Sequence, residues 1–175
     1  MSTGGRFRGM GLAEVSTILW RERELLELLL FKLEEEQLLL ASGRSRWLAR
    51  ATKEVEIVLA EIRRTELSRA TAVDEAAAGL GLGPNPSLAA LADACAEPWS
   101  GILRDHRLCF HALTAEITAL AATNKDLITA GKKATEDTLR ALTALGEARD
   151  EVPTYTPRGA ATASVPRARL INEAL

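Results

Sequence analysis

A leucine-rich stretch with a seven-residue period places the strongest constraint on how this chain folds. The segment "LWRERELLELLLFKLEEEQLLLASG" (19–43) holds ten leucines and one phenylalanine, yet none of its uncharged apolar runs exceeds four residues. A membrane-spanning helix needs about 20 mostly apolar residues, so this segment is too charged to cross a bilayer. Charged side chains fill one face, and leucines recur on the other at Leu12, Leu19, Leu26, Leu33 and Leu40. The pattern predicts an amphipathic helix that packs against partner helices.

The composition of the 175-residue chain favours an all-α fold. Apolar residues make up 47% of the chain and aromatic residues only 4%, while helix-forming residues such as Ala, Leu, Glu and Arg are frequent. We expect an elongated antiparallel helical hairpin with a long third helix, which is a coiled-coil-like bundle of three to four helices. The 22 basic and 24 acidic residues give a net charge of −2, which provides no general field for binding nucleic acid.

Gly43 marks the predicted end of the first helix, which we expect over about residues 12–41. Because the turn is short, a second helix over about residues 46–78 should run back antiparallel to the first. The glycine- and proline-rich segment "GLGLGPNP" (79–86) is a predicted loop. It does not fit a phosphate-binding loop, because no strand precedes it and no Gly-Lys-Ser/Thr follows.

The second half of the chain contains a short helix and a long one in this interpretation. Ser87 is placed to cap the short helix, and Pro98 to begin a long helix that ends near Ala148. Asn124 occupies a position of the long helix where a leucine is expected. A polar side chain in a helix seam fixes register or partner at a cost in stability, and the alternative is a partly solvated Asn near the end of the bundle.

Three prolines and many small residues after position 149 predict a disordered C-terminal tail. The expected organisation is a flexible N-terminal arm (1–11), a helical domain (12–148) and a flexible tail (149–175). No apolar signal segment is present near the N-terminus, so a cytoplasmic protein without membrane insertion is expected. Cys95 and Cys109 are fourteen residues apart and are predicted to be buried, reduced thiols, since on one continuous helix they would be beyond disulfide reach.

Polar residues that carry chemistry in other proteins do not converge here. The adjacent carboxylates 34–36 point about 100° apart on a helix, which predicts a solvated face rather than an acid/base pair. His106 and His111 are five residues apart, whereas two metal ligands on a helix need a spacing of three or four. One of them should lie in or near the seam, with its hydrogen-bonding groups satisfied. We therefore predict no catalysis, no metal and no cofactor.

Three segments, in their order, resemble the FlgN family of cytoplasmic export chaperones of the flagellar type III secretion system. They are the leucine-rich first helix, "TNKDLI" (123–128) in the long helix and "TYTPRG" (154–159) after it. Family members tend to carry an Asn-x-x-Leu-Ile signature, then an amphipathic segment and a Tyr-x-x-x-Gly element. The matching positions here are Asn124, Leu127, Ile128, Tyr155 and Gly159. A second Asn is usual three residues before the first, and this chain has Ala121 there.

The resemblance implies a chaperone that binds the C-terminal helices of the hook-filament junction proteins FlgK and FlgL. It would prevent their early assembly and deliver them to the export gate, where a tail tyrosine of relatives is linked to docking on FlhA; here that is Tyr155. Apolar residues of the long helix beyond the reach of the hairpin suggest the client groove, and the residues predicted to bind the client are Asn124, Leu127, Ile128, Leu139 and Leu142.

Two other classes fit parts of the sequence. A coiled-coil adaptor or structural protein would form a homodimer through the same leucines, and its tail would be plain disorder. A small secreted hairpin of the Trp-x-Gly type is suggested by "WSG" (99–101), but that motif belongs in a turn, and Pro98 places it at a helix start.

Overall fold

The computed structural model describes the backbone of residues 3–150 and the side chains of residues 11–146. Within that part of the chain there are four α-helices and no strand: α1 (Thr3–Ala41), α2 (Ser45–Leu80), α3 (Leu88–Ala94) and α4 (Trp99–Asp150). The all-α prediction is confirmed. The chain forms two units, Met1–Ile128 and Thr129–Leu175, and α4 contributes to both.

The turn between α1 and α2 is built around Gly43. Its φ of 66° lies in the left-handed region, which favours glycine because other residues carry a Cβ. The amide N of Arg44 reaches back to the carbonyl of Leu39 at 3.1 Å, and that of Gly43 to the carbonyl of Leu40 at 3.2 Å. These bonds satisfy carbonyls left open at the helix end, as in a Schellman-type stop. The predicted end of α1 is confirmed.

The first two helices form an antiparallel hairpin. Glu22 of α1 pairs with Arg69 of α2, and Glu36, further along α1, accepts a hydrogen bond from Thr52, which comes earlier in α2. A later position in α1 therefore contacts an earlier position in α2, as it must when two helices run antiparallel. The leucines of the seven-residue period face inward: Leu12, Leu19 and Leu33 are buried, and Leu26 and Leu40 are half-buried.

Helix α4 runs parallel to α1 within the first unit. His106 contacts Trp20, and Asn124, eighteen positions further along α4, contacts Leu33 of α1. The apolar core has two clusters of buried side chains. A large apolar side chain such as leucine, isoleucine or valine contributes about 1.5–3 kcal/mol to stability when it is fully buried. The first cluster contains Leu12, Val15, Leu19, Ala72, Val73, Ala76, Leu91, Ala92 and Leu103, and the second contains Leu25, Leu29, Leu33, Val55, Val58 and Ile62.

The predicted short helix and its cap are confirmed in α3. The hydroxyl of Ser87 accepts a hydrogen bond from the amide of Ala90 at 3.1 Å, which satisfies one of the open donors at the helix start. Before this helix, α2 ends at Leu80, and Gly81 adopts a left-handed φ of 74° within the predicted loop. Beyond α3, α4 begins at Trp99, directly after Pro98, as predicted.

Helix α1 begins earlier than predicted, at Thr3 rather than near Leu12. The four glycines of "MSTGGRFRGMG" (1–11) favoured a non-helical start, because each costs about 1 kcal/mol in a helix relative to Ala. Packing offsets part of that cost, since Gly11 lies close to Ala76 of α2 and is half-buried. The division into arm, helical domain and tail stays a prediction.

The two cysteines are free thiols, as predicted, but each is half-buried rather than buried. They do not share a helix: Cys95 caps the end of α3, and Cys109 lies in α4. Burial nevertheless raises the pKa of the Cys95 thiol above its ordinary value. A raised pKa keeps the thiol protonated and weakly nucleophilic at neutral pH.

Candidate functional site

Asn124 lies in the seam of α4 and is only 3% exposed. Its side-chain nitrogen Nδ2 donates to the main-chain oxygen of Leu33 at 2.9 Å and to Oε2 of Glu36 at 3.3 Å. These contacts confirm the interpretation of Asn124 as a polar residue within the seam, rather than a partly solvated one. Its intramolecular role is to connect α4 to α1 at a defined register; its contact with a client stays a prediction.

Glu36 is the partner that the sequence interpretation missed. We predicted that carboxylates 34–36 form a solvated face, and this is wrong for Glu36, which is 6% exposed. Its Oε1 accepts a hydrogen bond from the Thr52 hydroxyl at 2.7 Å, and its Oε2 accepts from Asn124. One buried carboxylate thus joins three helices. Its spacing from Leu29 and Leu33, seven and three residues, is the signal that places it on the inner side of α1.

Leu127 and Ile128 follow Asn124 at the end of the first unit. Leu127 is half-buried and Ile128 is 46% exposed. Of these three residues of the predicted client-binding group, Ile128 presents the most apolar surface, Leu127 presents less, and the buried Asn124 presents none.

The described side chains of the second unit, residues 129–146, are all exposed. Leu139, Leu142 and Leu145 are 59%, 60% and 68% exposed, and their three-residue spacing places them on one side of the helix. We call these three residues the leucine stripe. Stable helices of soluble proteins normally cover such a stripe, and an uncovered one marks an interaction surface. Leu145 completes a group of which the sequence prediction named only Leu139 and Leu142.

His106 lies at the contact between α1 and α4 and is 2% exposed. Its ring meets that of Trp20 edge-on with centroids 4.8 Å apart, and the ring centroid of Phe110 lies 6.0 Å from that of His106. Within the described residues neither ring nitrogen has a hydrogen-bond partner. Burial lowers the pKa of His106, with Arg23 acting in the same direction and Asp105 opposing it. The prediction that one of the two histidines lies in the seam is confirmed, but the prediction that its ring nitrogens are hydrogen-bonded is wrong for the described residues.

Glu22 is a second buried carboxylate of α1, in addition to Glu36, and it lies between α1 and α2. Glu22 is 7% exposed, and its Oε2 is 2.8 Å from Nε of Arg69, but the two groups are not aligned for a hydrogen bond. Burial raises the pKa of Glu22 and outweighs the lowering effect of Arg69. Ion pairs of this kind stabilise weakly, because the cost of removing both charges from water offsets their attraction.

Comparison with protein-family models gives one match that decides the family. The model described as "FlgN protein" matches residues 10–163, which is most of the chain. The chain belongs to the FlgN family. The matched region contains all of the residues that carried the resemblance in the sequence. No curated protein and no solved structure matches the chain.

Membership of the FlgN family assigns the chain a general role as a chaperone of flagellar protein export that binds flagellar proteins. The family is one of chaperones rather than enzymes. In the part of the chain that the structure describes, no group of three or more His, Cys, Asp or Glu side chains has the geometry to hold a metal ion. Over the same residues, no helix combines the length and apolar character needed to span a bilayer.

Tyr155, the residue predicted to dock on the export gate, lies outside the described residues. It falls within the part of the chain that matches the FlgN family. Its role therefore stays a prediction, as does the disorder of the tail that carries it.

Proposed function

We propose that this FlgN-family chain is a cytoplasmic chaperone that binds the C-terminal helices of FlgK- and FlgL-like hook-associated proteins. By covering those helices it prevents their premature assembly, and it delivers the bound subunits to an FlhA-like export gate. Covering an amphipathic helix requires only a complementary apolar surface, so the proposed function needs neither nucleotide nor cofactor.

The leucine stripe is the observation that supports this function best. Its three leucines lie on one side of a helix and are each more than half exposed, and among the described residues no helix provides the cover that a stable apolar stripe requires. An amphipathic client helix would supply that cover by laying its own apolar side along the stripe. In the first unit, Ile128 and Leu127 are the residues assigned to the client.

Asn124 has a different role in the proposed function from that of Leu127 and Ile128. Its side chain is buried against Leu33 and Glu36, so it supports the helix that carries Leu127 and Ile128. Contact between Asn124 and a client would require these hydrogen bonds to open.

The alternative is a coiled-coil adaptor that forms homodimers through its leucine seam. The inward leucines of α1 pack within one chain against α2, which counts against a dimer formed through that seam. The leucine stripe remains available to a second copy. Sedimentation equilibrium with and without a client peptide separates the two functions: the adaptor is a dimer in both conditions, whereas a chaperone that holds its client on the stripe binds the peptide as a monomer.

The function is tested by titrating a peptide of a FlgK-like C-terminal helix into the purified chain and into its Leu139→Asp, Leu142→Asp double variant. We expect binding to the first and a severe loss of binding to the second. A peptide that does not bind the unmodified chain would contradict the proposed client.

A further inference from the structure

The tip of the α1–α2 hairpin is cationic. From Gln37 to Lys53 the sequence contains four basic residues, Arg44, Arg46, Arg50 and Lys53, and no Asp or Glu. Of these, Arg50 pairs with Glu54 and Lys53 pairs with Glu56. Among the described residues, no carboxylate partners Arg44 or Arg46. The tip therefore carries excess positive charge although the whole chain has a net charge of −2.

An apolar groove runs along one side of this tip. Its volume is about 560 Å³, and Leu38, Leu39, Trp47 and Ala51 supply its apolar lining. Leu38 is 70% exposed and Trp47 is 44% exposed, which is high for large side chains of a folded helix pair. Arg46 stacks on the ring of Trp47 with its guanidinium carbon 4.6 Å from the ring centroid. The tip thus combines a concave apolar surface with fixed positive charge.

The two acidic residues that line the groove are already neutralised. Lys32 lies 2.7 Å from Glu35 and 2.8 Å from Glu54, and Glu54 also accepts from Arg50 at 3.1 Å. Their carboxylates are therefore engaged within the chain. Arg44, which also lines the groove, has no such partner among the described residues, so the charge left at the groove is positive.

The placement of these arginines is unfavourable for α2 itself. Arg44 is the N-cap residue and provides no side-chain cap, and the first turn contains Arg46 but no acidic residue. Cations at a helix N-terminus oppose the helix dipole, whereas carboxylates there are stabilising. A carboxylate supplied from outside the chain would relieve this arrangement.

We propose that the hairpin tip is a docking site for an acidic peptide segment of a partner protein. The segment inserts an apolar side chain between Leu38 and Trp47, and its carboxylates lie against Arg44 and Arg46. A groove with a few exposed apolar side chains suits an inserted side chain better than a flat lipid surface. This site uses residues other than those assigned to the client helix, and it adds a second binding surface to the proposed chaperone.

The experiment uses the full-length chain and a short fluorescent peptide with one phenylalanine between two runs of glutamate. Fluorescence anisotropy gives the affinity for this peptide and for a version with glutamine in place of every glutamate. The Arg44→Gln, Arg46→Gln variant tests the charges, and Leu38→Gln and Trp47→Ala test the groove. The Arg63→Gln, Arg64→Gln variant is the matched control, because it removes two exposed cations from the same helix.

We expect the acidic peptide to bind, and its affinity to fall by at least about tenfold in the charge variant, in each groove variant and on raising the salt concentration. The glutamine peptide should bind at least about tenfold more weakly, and the control variant should bind like the unmodified chain. Absence of binding, equal affinity for both peptides, or equal loss in the control would overturn the proposal. Binding to vesicles of phosphatidylglycerol and phosphatidylcholine, but not to the peptide, would assign the tip to a membrane surface instead. Circular dichroism establishes that every variant is folded.

Discussion

Asn124 of α4 donates its side-chain amide to the main-chain oxygen of Leu33 in α1 at 2.9 Å. This hydrogen bond spans 91 positions of sequence, and its direction helps to fix the register between two helices that also pack through apolar side chains, whose contacts are non-directional. The same amide reaches Glu36, which also accepts from Thr52 of α2. Both donor bonds of the amide are directional and favour one packing arrangement, while Oδ1 of Asn124 is buried and has no hydrogen-bond partner among the described residues.

Replacing Asn124 with Ala should lower the free energy of unfolding by about 1–3 kcal/mol, because the buried carboxylate of Glu36 loses a donor. Asn124→Asp should cost more, since it places a second carboxylate beside Glu36. Urea denaturation gives both values. Thr123→Ala is the control, because Thr123 is exposed and its hydroxyl bonds only locally to Ala119. Wild-type stability of the Ala variant would show that the network contributes nothing.

The buried imidazole of His106 should make stability depend on pH. The folded state favours its neutral form, so below the ordinary pKa of 6.5 the unfolded state binds more protons. Stability should therefore fall as the pH drops below about 6.5. Glu22 contributes with the opposite sign, because its raised pKa makes the folded state gain protons on acidification.

A comparison of two variants isolates the contribution of His106 to the pH dependence of stability. His106→Leu should remove its share of the pH dependence, and His111→Leu, which changes a histidine at an exposed position, is the control. The measurement is the urea midpoint at intervals between neutral pH and about pH 5.5. Identical pH profiles for the two variants would contradict the assignment.

Removing Arg69 should leave the buried carboxylate of Glu22 without its ion-pair partner and lower the free energy of unfolding. We expect Arg69→Ala to destabilise the chain at neutral pH by about 1–3 kcal/mol, below the 3–5 kcal/mol of fully buried pairs because Arg69 is partly exposed. Since the pKa of Glu22 is already raised by burial, acidification should protonate it and restore part of the loss. Glu22→Gln in the same background should restore stability at neutral pH. A loss that neither acid nor Glu22→Gln repairs would show that Arg69 acts by packing alone.

Much of this fold could be predicted because its signals are local. The leucine period, Gly43 and Ser87 each describe a few neighbouring residues, and they correctly predicted the hairpin, its turn and the cap of α3. The start of α1 was not predicted, because the low helix propensity of the glycines before Leu12 favours a non-helical segment. The contact of Gly11 with Ala76 of α2 joins residues far apart in sequence, which a local signal does not reveal.

The candidate site was harder to predict because its partners lie far apart in sequence. The apolar pattern of the long helix placed Asn124 where a leucine is expected, but nothing near it in sequence identifies Leu33, Glu36 or Thr52 as its neighbours. Glu36 was misread because three consecutive glutamates suggest a solvated face, although its position among the inner leucines indicates burial. At the hairpin tip, exposure of Leu38 and Trp47 depends on which helices cover them, and periodicity alone does not reveal that.

Tyr155 should serve export-gate docking without serving client capture. In the disordered tail that the sequence predicts, a tyrosine side chain would lose little conformational entropy when a partner's pocket binds its large ring, which suits an anchor. Tyr155→Ala should therefore weaken binding to an FlhA-like gate domain and leave the affinity for FlgK- or FlgL-like helices unchanged. Titrations with the two partners measure both. An equal loss of both affinities, or no loss of either, would contradict the prediction that Tyr155 serves gate docking and not client capture.

The leucine stripe provides the most direct test of the central claim, through the Leu139→Asp, Leu142→Asp variant. The affinity for a FlgK-like C-terminal helix, measured by isothermal titration calorimetry, should fall by at least about 100-fold, because the variant removes two apolar contacts and buries carboxylates. Both side chains are more than half exposed, so the thermal unfolding midpoint should hardly change. The Leu67→Asp, Leu108→Asp variant, which changes two leucines of similar or greater exposure elsewhere, should bind normally. Wild-type affinity in the folded stripe variant would contradict the account.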